Sequence, residues 1–220
     1  MQELLLDVHR RLAERYIHLK WWPADTDFEM ACGAILTQNT NWRNVEKAIA
    51  GMKDGGLMSP EAVLSADYEF LKECIRPSGY FNQKAERLVI LSRFILDLPG
   101  GTISGLAEYP AERAREMLLD LKGVGEETCD SILLYGAGFP VFVVDAYTMR
   151  VFTRLGILES KKYGEYQRMF MDNIEPDAEL YGMYHGEIVE HAATVCLKRS
   201  PKCGECVLAE ICERKGVAES

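Results

Sequence analysis

The sequence predicts an all-α protein, and three observations carry that expectation. Apolar residues recur at helical spacing through most of the chain, and the Gly, Pro and Asn punctuation between these runs is short. Only one run reads as β, residues 139–144, and it is too isolated to pair into a sheet. No repeat of fixed period and no low-complexity tract interrupts the pattern.

Taken in order, MQELLLDVHRRLAERYIHL at the N-terminus spaces its apolar residues as an amphipathic helix and mixes charges through them, unlike a signal peptide. Residues 61–74 and 83–98 each read as one helix, separated by turn signals at Asp54-Gly-Gly, Pro77-Ser-Gly and Pro99-Gly-Gly. Residues 139–144 read as an extended connector. Beyond it a helix begins at Asp145, followed by helical runs near residues 163–173 and 178–197 and then a compact cysteine-rich tail.

With 220 residues and 48% hydrophobic content the chain can bury one large core or two small ones. Its longest apolar run, residues 131–144, is broken by Gly136, Gly138 and Pro140, and falls short of the roughly 20 helical residues a bilayer requires. No membrane association is expected, and the composition reads as cytoplasmic. The net charge of −9 excludes a broadly basic surface, so nucleic-acid binding would have to rest on a local patch and on backbone amides.

The tail carries Cys196, Cys203, Cys206 and Cys212 at C-x6-C-x2-C-x5-C spacing. Thiolates this dense ligate a metal or are oxidised. Paired zinc sites usually show two C-x2-C hooks and this tail has one, so a [4Fe–4S] cluster is the preferred reading over zinc or unmetallated cysteines. Between the first two ligands lie Lys198, Arg199 and Lys202, the local basic patch that DNA binding would require, or simply a solvated charged loop. Cys32, Cys74 and Cys129 sit in apolar helical contexts and read as small buried hydrophobes.

Upstream, LKGVG at residues 121–125 is a tight Gly-Val-Gly turn opening onto a helix, able to bring backbone N–H groups to a phosphate. Such a turn alone more often reflects helix packing. Twenty residues on, Asp145 closes the apolar run Val143-Val144; its plain reading is a helix N-cap, which is compatible with a catalytic carboxylate kept ionised at a helix start.

Together, the hairpin, the aspartate and the cysteine tail resemble the helix-hairpin-helix DNA glycosylase superfamily, the endonuclease III group, over nearly the whole chain. The resemblance implies a two-domain fold: a six-helix barrel with the helix-hairpin-helix at residues 22–138, and a second helical domain of residues 1–21 and 139–220 bearing the [4Fe–4S] loop. It also implies that a damaged double-stranded DNA is the partner, that Gly123, Val124 and Gly125 grip phosphate through backbone amides, that Gln38, with Asn39 beside it, enters the duplex where a nucleotide is flipped out, and that Asp145 is catalytic. A monomer of a bacterial or archaeal cell, associated with the nucleoid, is expected.

Bifunctional members of the superfamily carry a lysine two positions after the second hairpin glycine, where this chain has Glu127. A carboxylate cannot form an imine with the sugar. The expected product is therefore an abasic site without strand cleavage, with Asp145 stabilising the sugar cation and directing water. Glu127 also suits a solvated first helical turn. Lys122 lies on the other side of the turn by spacing.

A second resemblance, to the bacterial 3-methyladenine DNA glycosylase branch, rests on Trp21-Trp22-Pro23, LTQNTNW at residues 36–42, CIRPSGYFNQK at 74–84 and YHGEIVE at 184–190. It implies that Trp21, Trp22, Pro23 and Trp42 form a base pocket, where stacking and cation–π attraction of about 0.5–2 kcal/mol suit a positively charged alkylpurine. Without that branch, the same tryptophans read as core or interface residues. The cysteine tail departs from the best-known pattern of the branch. Two other readings stay open: a bifunctional endonuclease III-type enzyme for oxidised pyrimidines, and a non-catalytic iron–sulfur DNA-binding protein. The four histidines, His9, His18, His185 and His191, read as packing or surface residues, with His185 the nearest to the site.

Overall fold

The computed structural model describes residues 1–217. Its eleven α-helices, in chain order, are α1 (Gln2–Arg15), α2 (Asp27–Leu36), α3 (Trp42–Asp54), α4 (Pro60–Ser65), α5 (Tyr68–Ile75), α6 (Phe81–Asp97), α7 (Ala111–Leu119), α8 (Glu126–Ser131), α9 (Ala146–Leu155), α10 (Tyr163–Met171) and α11 (Ala178–Thr194). No strand occurs among the described residues, and no helix of theirs is long and apolar enough to cross a membrane.

The chain divides into two compact units: Met1–Trp22 with Pro140–Ser220, and Pro23–Phe139. Each break falls one residue later than the sequence reading placed it. Trp22 stays beside Trp21, their rings 5.6 Å apart and edge to face. Phe139 stays with the contiguous unit because its N–H donates to the Leu133 carbonyl at 3.0 Å.

In the contiguous unit α2 is the central helix. Every residue from Phe28 to Leu36 is buried, so its sequence shows no polar face. Side-chain caps start α2 and its neighbours: Thr26 accepts from the Glu29 N–H, Asn41 from Asn44, Ser59 from Ala62 and Asp67 from Phe70. The Asp67 cap corrects one expectation. Residues 61–74 form two helices, α4 and α5, because the chain turns extended at Ala66 and Asp67 restarts it.

Lys84 ties this unit together. It is fully buried, and its ammonium donates to the carbonyls of Leu36 at the end of α2 (2.8 Å) and Ser78 (2.7 Å). Burial, with Arg87 nearby, brings its pKa down to about 8.

The discontinuous unit packs α1 on α11 and α11 on α9. Its core is aromatic: Phe142 stacks on Phe170 at 3.6 Å, and Phe152, Tyr181 and Tyr184 surround the pair edge-on. Residues 139–144 are the extended connector the sequence suggested, with Phe142, Val143 and Val144 fully buried. Its backbone is held by side chains, Gln167 donating to the Phe142 carbonyl (2.9 Å) and the Val144 N–H to Tyr163 Oη (3.3 Å).

Candidate DNA glycosylase site

Asp145 is the N-cap of α9, in extended backbone conformation. Its Oδ1 accepts from the Thr148 N–H at 2.7 Å and the Thr148 hydroxyl at 2.9 Å. Its Oδ2 faces Nε2 of His185 on α11 at 3.7 Å, with the aspartate side chain 11% and the histidine 5% exposed. Burial by itself pushes this carboxyl up; the facing imidazole and the two Thr148 donors outweigh it, holding the carboxyl below its ordinary range. The cap and the ionised carboxylate are thus the same arrangement. Trp21 lies edge to face with the His185 ring, centroids 6.2 Å apart, and with Trp22. Asp145, His185, Trp21 and Trp22 therefore form one cluster in the discontinuous unit.

The other sequence-assigned residues lie in the contiguous unit, apart from the cysteine tail and its basic loop. The hairpin turn closes with the Val124 N–H on the Leu121 carbonyl (3.0 Å), and Gly123 takes the left-handed φ of 87° that favours glycine. A Cβ there would also overlap the Arg87 guanidinium. Gly123 and Gly125 are exposed, and Gly125 faces open space. Gln38 is bound to this turn: its amide nitrogen donates to the Gly123 carbonyl (3.1 Å) and to Thr128 Oγ1 (2.9 Å), and its oxygen accepts from Arg87. Asn39 is exposed with φ 55°, and Trp42 opens α3, half-buried. Pro23 is exposed. Glu127 is exposed in the first turn of α8, its carbonyl accepting from Ser131 Oγ (2.7 Å). Lys122 is exposed and paired to Glu86 at 2.6 Å.

In the tail, Cys196, Cys203, Cys206 and Cys212 line one cavity with Arg154 and Val195 among its other walls. Among the described residues no three His, Cys, Asp or Glu side chains converge to hold a single metal ion. Four cysteines around one cavity are a donor set that fits a [4Fe–4S] cluster. Burial and the mutual repulsion of neighbouring thiolates push the Cys206 and Cys212 thiols up. A bound iron–sulfur cluster would offset this by ligating the sulfurs as thiolates.

Sequence reasoning passed over Arg154, which braces this tail, and read His191 only as a packing or surface residue. Arg154 is buried, and its guanidinium donates to Cys196 Sγ (3.2 Å) and to the carbonyls of Leu197 (2.7 Å) and Lys198 (3.1 Å). His191 Nε2 lies 3.3 Å from Cys206 Sγ, while its Nδ1 meets Tyr16 Oη at 3.0 Å. Their only sequence signal is a polar residue at a helical core position, which many caps and surface residues share. Lys198, Arg199 and Lys202 are exposed in the loop that Arg154 holds.

The comparisons agree with this geometry. Residues 32–176 match the family model described as HhH-GPD superfamily base excision DNA repair protein, and residues 196–212 match the iron–sulfur binding domain of endonuclease III. A Methanocaldococcus jannaschii protein named "Putative DNA repair glycosylase MJ1434" is 43% identical over 97% of both chains. Endonuclease III of Thermotoga maritima is 31% identical over 89% of this chain and 88% of its own. Among solved structures, a Helicobacter pylori 3-methyladenine DNA glycosylase bound to 1,N6-ethenoadenine is similar with TM-score 0.72 and 32% identity, covering 86% of this chain and 95% of that one. An endonuclease III–DNA complex shares the fold with TM-score 0.81 over 97% and 96% of the two chains. The chain belongs to the HhH-GPD superfamily of base excision DNA repair proteins, as a DNA-binding N-glycosylase that carries an iron–sulfur cluster in its C-terminal tail.

Proposed function

We propose that the chain is a monofunctional glycosylase that removes alkylated purines such as 3-methyladenine from double-stranded DNA, acting as a monomer. The observation that carries this reading is Asp145, a half-buried carboxylate kept anionic at the start of α9, with one oxygen tied to Thr148 and the other facing His185 beside the Trp21–Trp22 pair. The 32% identity to a 3-methyladenine DNA glycosylase supports the substrate class.

In this mechanism the C1′–N bond breaks heterolytically and the base leaves with the bonding pair. On an alkylated purine the base already carries positive charge, so it departs neutral and needs little protonation. The Asp145 anion stabilises the developing sugar cation; water then bonds to C1′ and gives up a proton that the carboxylate can accept. The aromatic pair captures the cationic base by stacking. Cys196, Cys203, Cys206 and Cys212 hold the cluster, which when bound cross-links the tail. The exposed hairpin amides and the Lys198–Arg199–Lys202 loop contact phosphates, and Gln38 enters the duplex.

No amine is available for strand cleavage at the position where bifunctional relatives use one, since Glu127 stands there. Lys84 is fully enclosed and committed to two carbonyls. The likeness to endonuclease III supports a second reading, bifunctional excision of oxidised pyrimidines. The deciding experiment measures base release from duplexes carrying 3-methyladenine, 7-methylguanine, ethenoadenine, thymine glycol or uracil, with strand breaks scored before and after alkali. Free alkylpurine with breaks only after alkali supports the first reading, and breaks on thymine glycol before alkali support the second. Asp145→Asn is expected to abolish release while sparing duplex affinity. Release at the wild-type rate would reject a catalytic Asp145.

A further inference from the structure

We propose that His185 is a positioning residue for Asp145, and that Gly186 beside it seats Trp21, so that one turn of α11 sets both the carboxylate and the aromatic wall of the base site. The inference rests on the reading of Asp145 as the catalytic carboxylate and adds to it the device that orients that group.

The turn is rigidly held. Tyr184, just before His185, is fully buried, donates its hydroxyl to the Leu5 carbonyl at 2.8 Å and sits within the Phe142–Phe170 aromatic core. Glu187, just after Gly186, is buried against His9 at 3.0 Å. Residues 184–187 are therefore fixed to α1 and to the connector before Asp145, and His185 cannot drift without disturbing both.

The 3.7 Å separation between Nε2 and Oδ2 is itself informative. It exceeds the roughly 2.7–3.2 Å of a direct N–H···O bond. In either the Nε2–H tautomer or the protonated ring, Nε2 presents a donor to the carboxylate. Attraction across that gap biases the rotation of the carboxyl group about its broad terminal torsion. It does so without consuming Oδ2, which stays available to the sugar cation or to the attacking water. Oδ1, by contrast, is saturated by two Thr148 donors. The two oxygens are thereby given different work: Oδ1 anchors and Oδ2 acts.

Gly186 contributes space. A Cβ at this position would overlap the Trp21 ring at Cγ, Cδ1 and Cβ. Any side chain there forces Trp21 off α11, away from the His185 ring and out of its edge-to-face contact with Trp22. Capture of the base and orientation of the carboxylate are thus mechanically linked through two adjacent residues.

The test compares wild type, H185A, H185Q, G186A and D145N in single-turnover release of 1,N6-ethenoadenine and 7-methylguanine from duplex DNA. Duplex affinity is measured by anisotropy, and thermal melting with the visible absorption of the cluster serves as the folding control. H185A is expected to lose about 10²-fold in single-turnover rate, as misplacement of a reacting group by about 1 Å does, with unchanged affinity. H185Q, whose amide N–H reaches the Nε2 position, is expected to recover about tenfold of that loss. G186A is expected to lower the preference for damaged over undamaged duplex.

A wild-type rate in H185A, a parallel loss of rate and affinity, or an H185Q rate no better than H185A overturns the positioning role. Undiminished preference in G186A overturns the seating of Trp21. Should H185A fail to fold, H185Q against H185N decides: the longer amide must be the faster, and equal rates overturn the proposal. D145N separates the two levels. An active D145N refutes the reading of Asp145, whereas an inactive D145N with a fully active H185A refutes this inference alone.

Discussion

Asp145 stays ionised although it is nearly dry, and that fixes the sign of its pH dependence. A carboxyl held below its unfolded value contributes stability above the ordinary carboxylate range and loses it only as pH falls through the lower, folded value. In the proposed mechanism the active form is the anion, so base release should remain undiminished on the acid side down through the ordinary carboxylate range. A single-turnover pH–rate profile checks this; a loss of activity centred above about pH 5 would mean that burial, rather than His185 and Thr148, sets the carboxyl. At Glu127 the expectation concerns chemistry instead of charge. Glu127→Lys should produce a borohydride-trapped protein–DNA adduct that wild type lacks, read as a shifted band on a denaturing gel. Asp145 as the N-cap of α9 was legible from sequence, because its place at the end of an apolar run is a linear feature. His185 was only half legible: its contact with Asp145 joins residues 40 positions apart, and nothing in the local pattern of α11 distinguishes it from a packing histidine.

Helices were read well where one face is wet and poorly where context overrides periodicity. The amphipathic α1 and α9 follow from spacing, but α2 is buried on all sides and offers no period to find. The break between α4 and α5 comes from the Asp67 cap, a single side-chain bond within an otherwise continuous apolar pattern. Lys84 was quoted only as the end of a motif, and its structural task, closing the C-terminus of α2, required the fold to be seen. Lys84→Met should leave the Leu36 and Ser78 carbonyls without their donor, at about 1–3 kcal/mol each. Loss of the partly desolvated charge offsets some of that. A fall in melting temperature with an unchanged cluster spectrum is expected, and an unchanged midpoint would show that the ammonium contributes nothing net.

For the whole molecule the sequence posed a conflict, a net charge of −9 on a protein that binds DNA. In the proposed interface the exposed glycine turn, with its backbone amides, and three exposed cations on the Arg154-braced loop supply the local contact that would resolve it. Replacing Lys198, Arg199 and Lys202 together by alanine should weaken duplex binding and flatten the slope of log K against log salt by about 0.9 for each phosphate no longer neutralised. A slope equal to wild type would remove the loop from the interface. The iron–sulfur tail was readable from cysteine spacing, because four cysteines in one short segment have few chemical uses, whereas the arginine that braces it had no such signature.

The division of the chain also orders its synthesis. The unit of Pro23–Phe139 is contiguous and closes on its own residues, while α1 must wait for α11 before it can pack. The bonds that close its unit, His9 to Glu187 and Tyr184 to Leu5, span nearly the whole chain, and long-range closure of this kind comes late. A chain that has reached Phe139 therefore holds every residue of the glycine-turn unit but not Asp145, whose own unit closes only after α11 has been made.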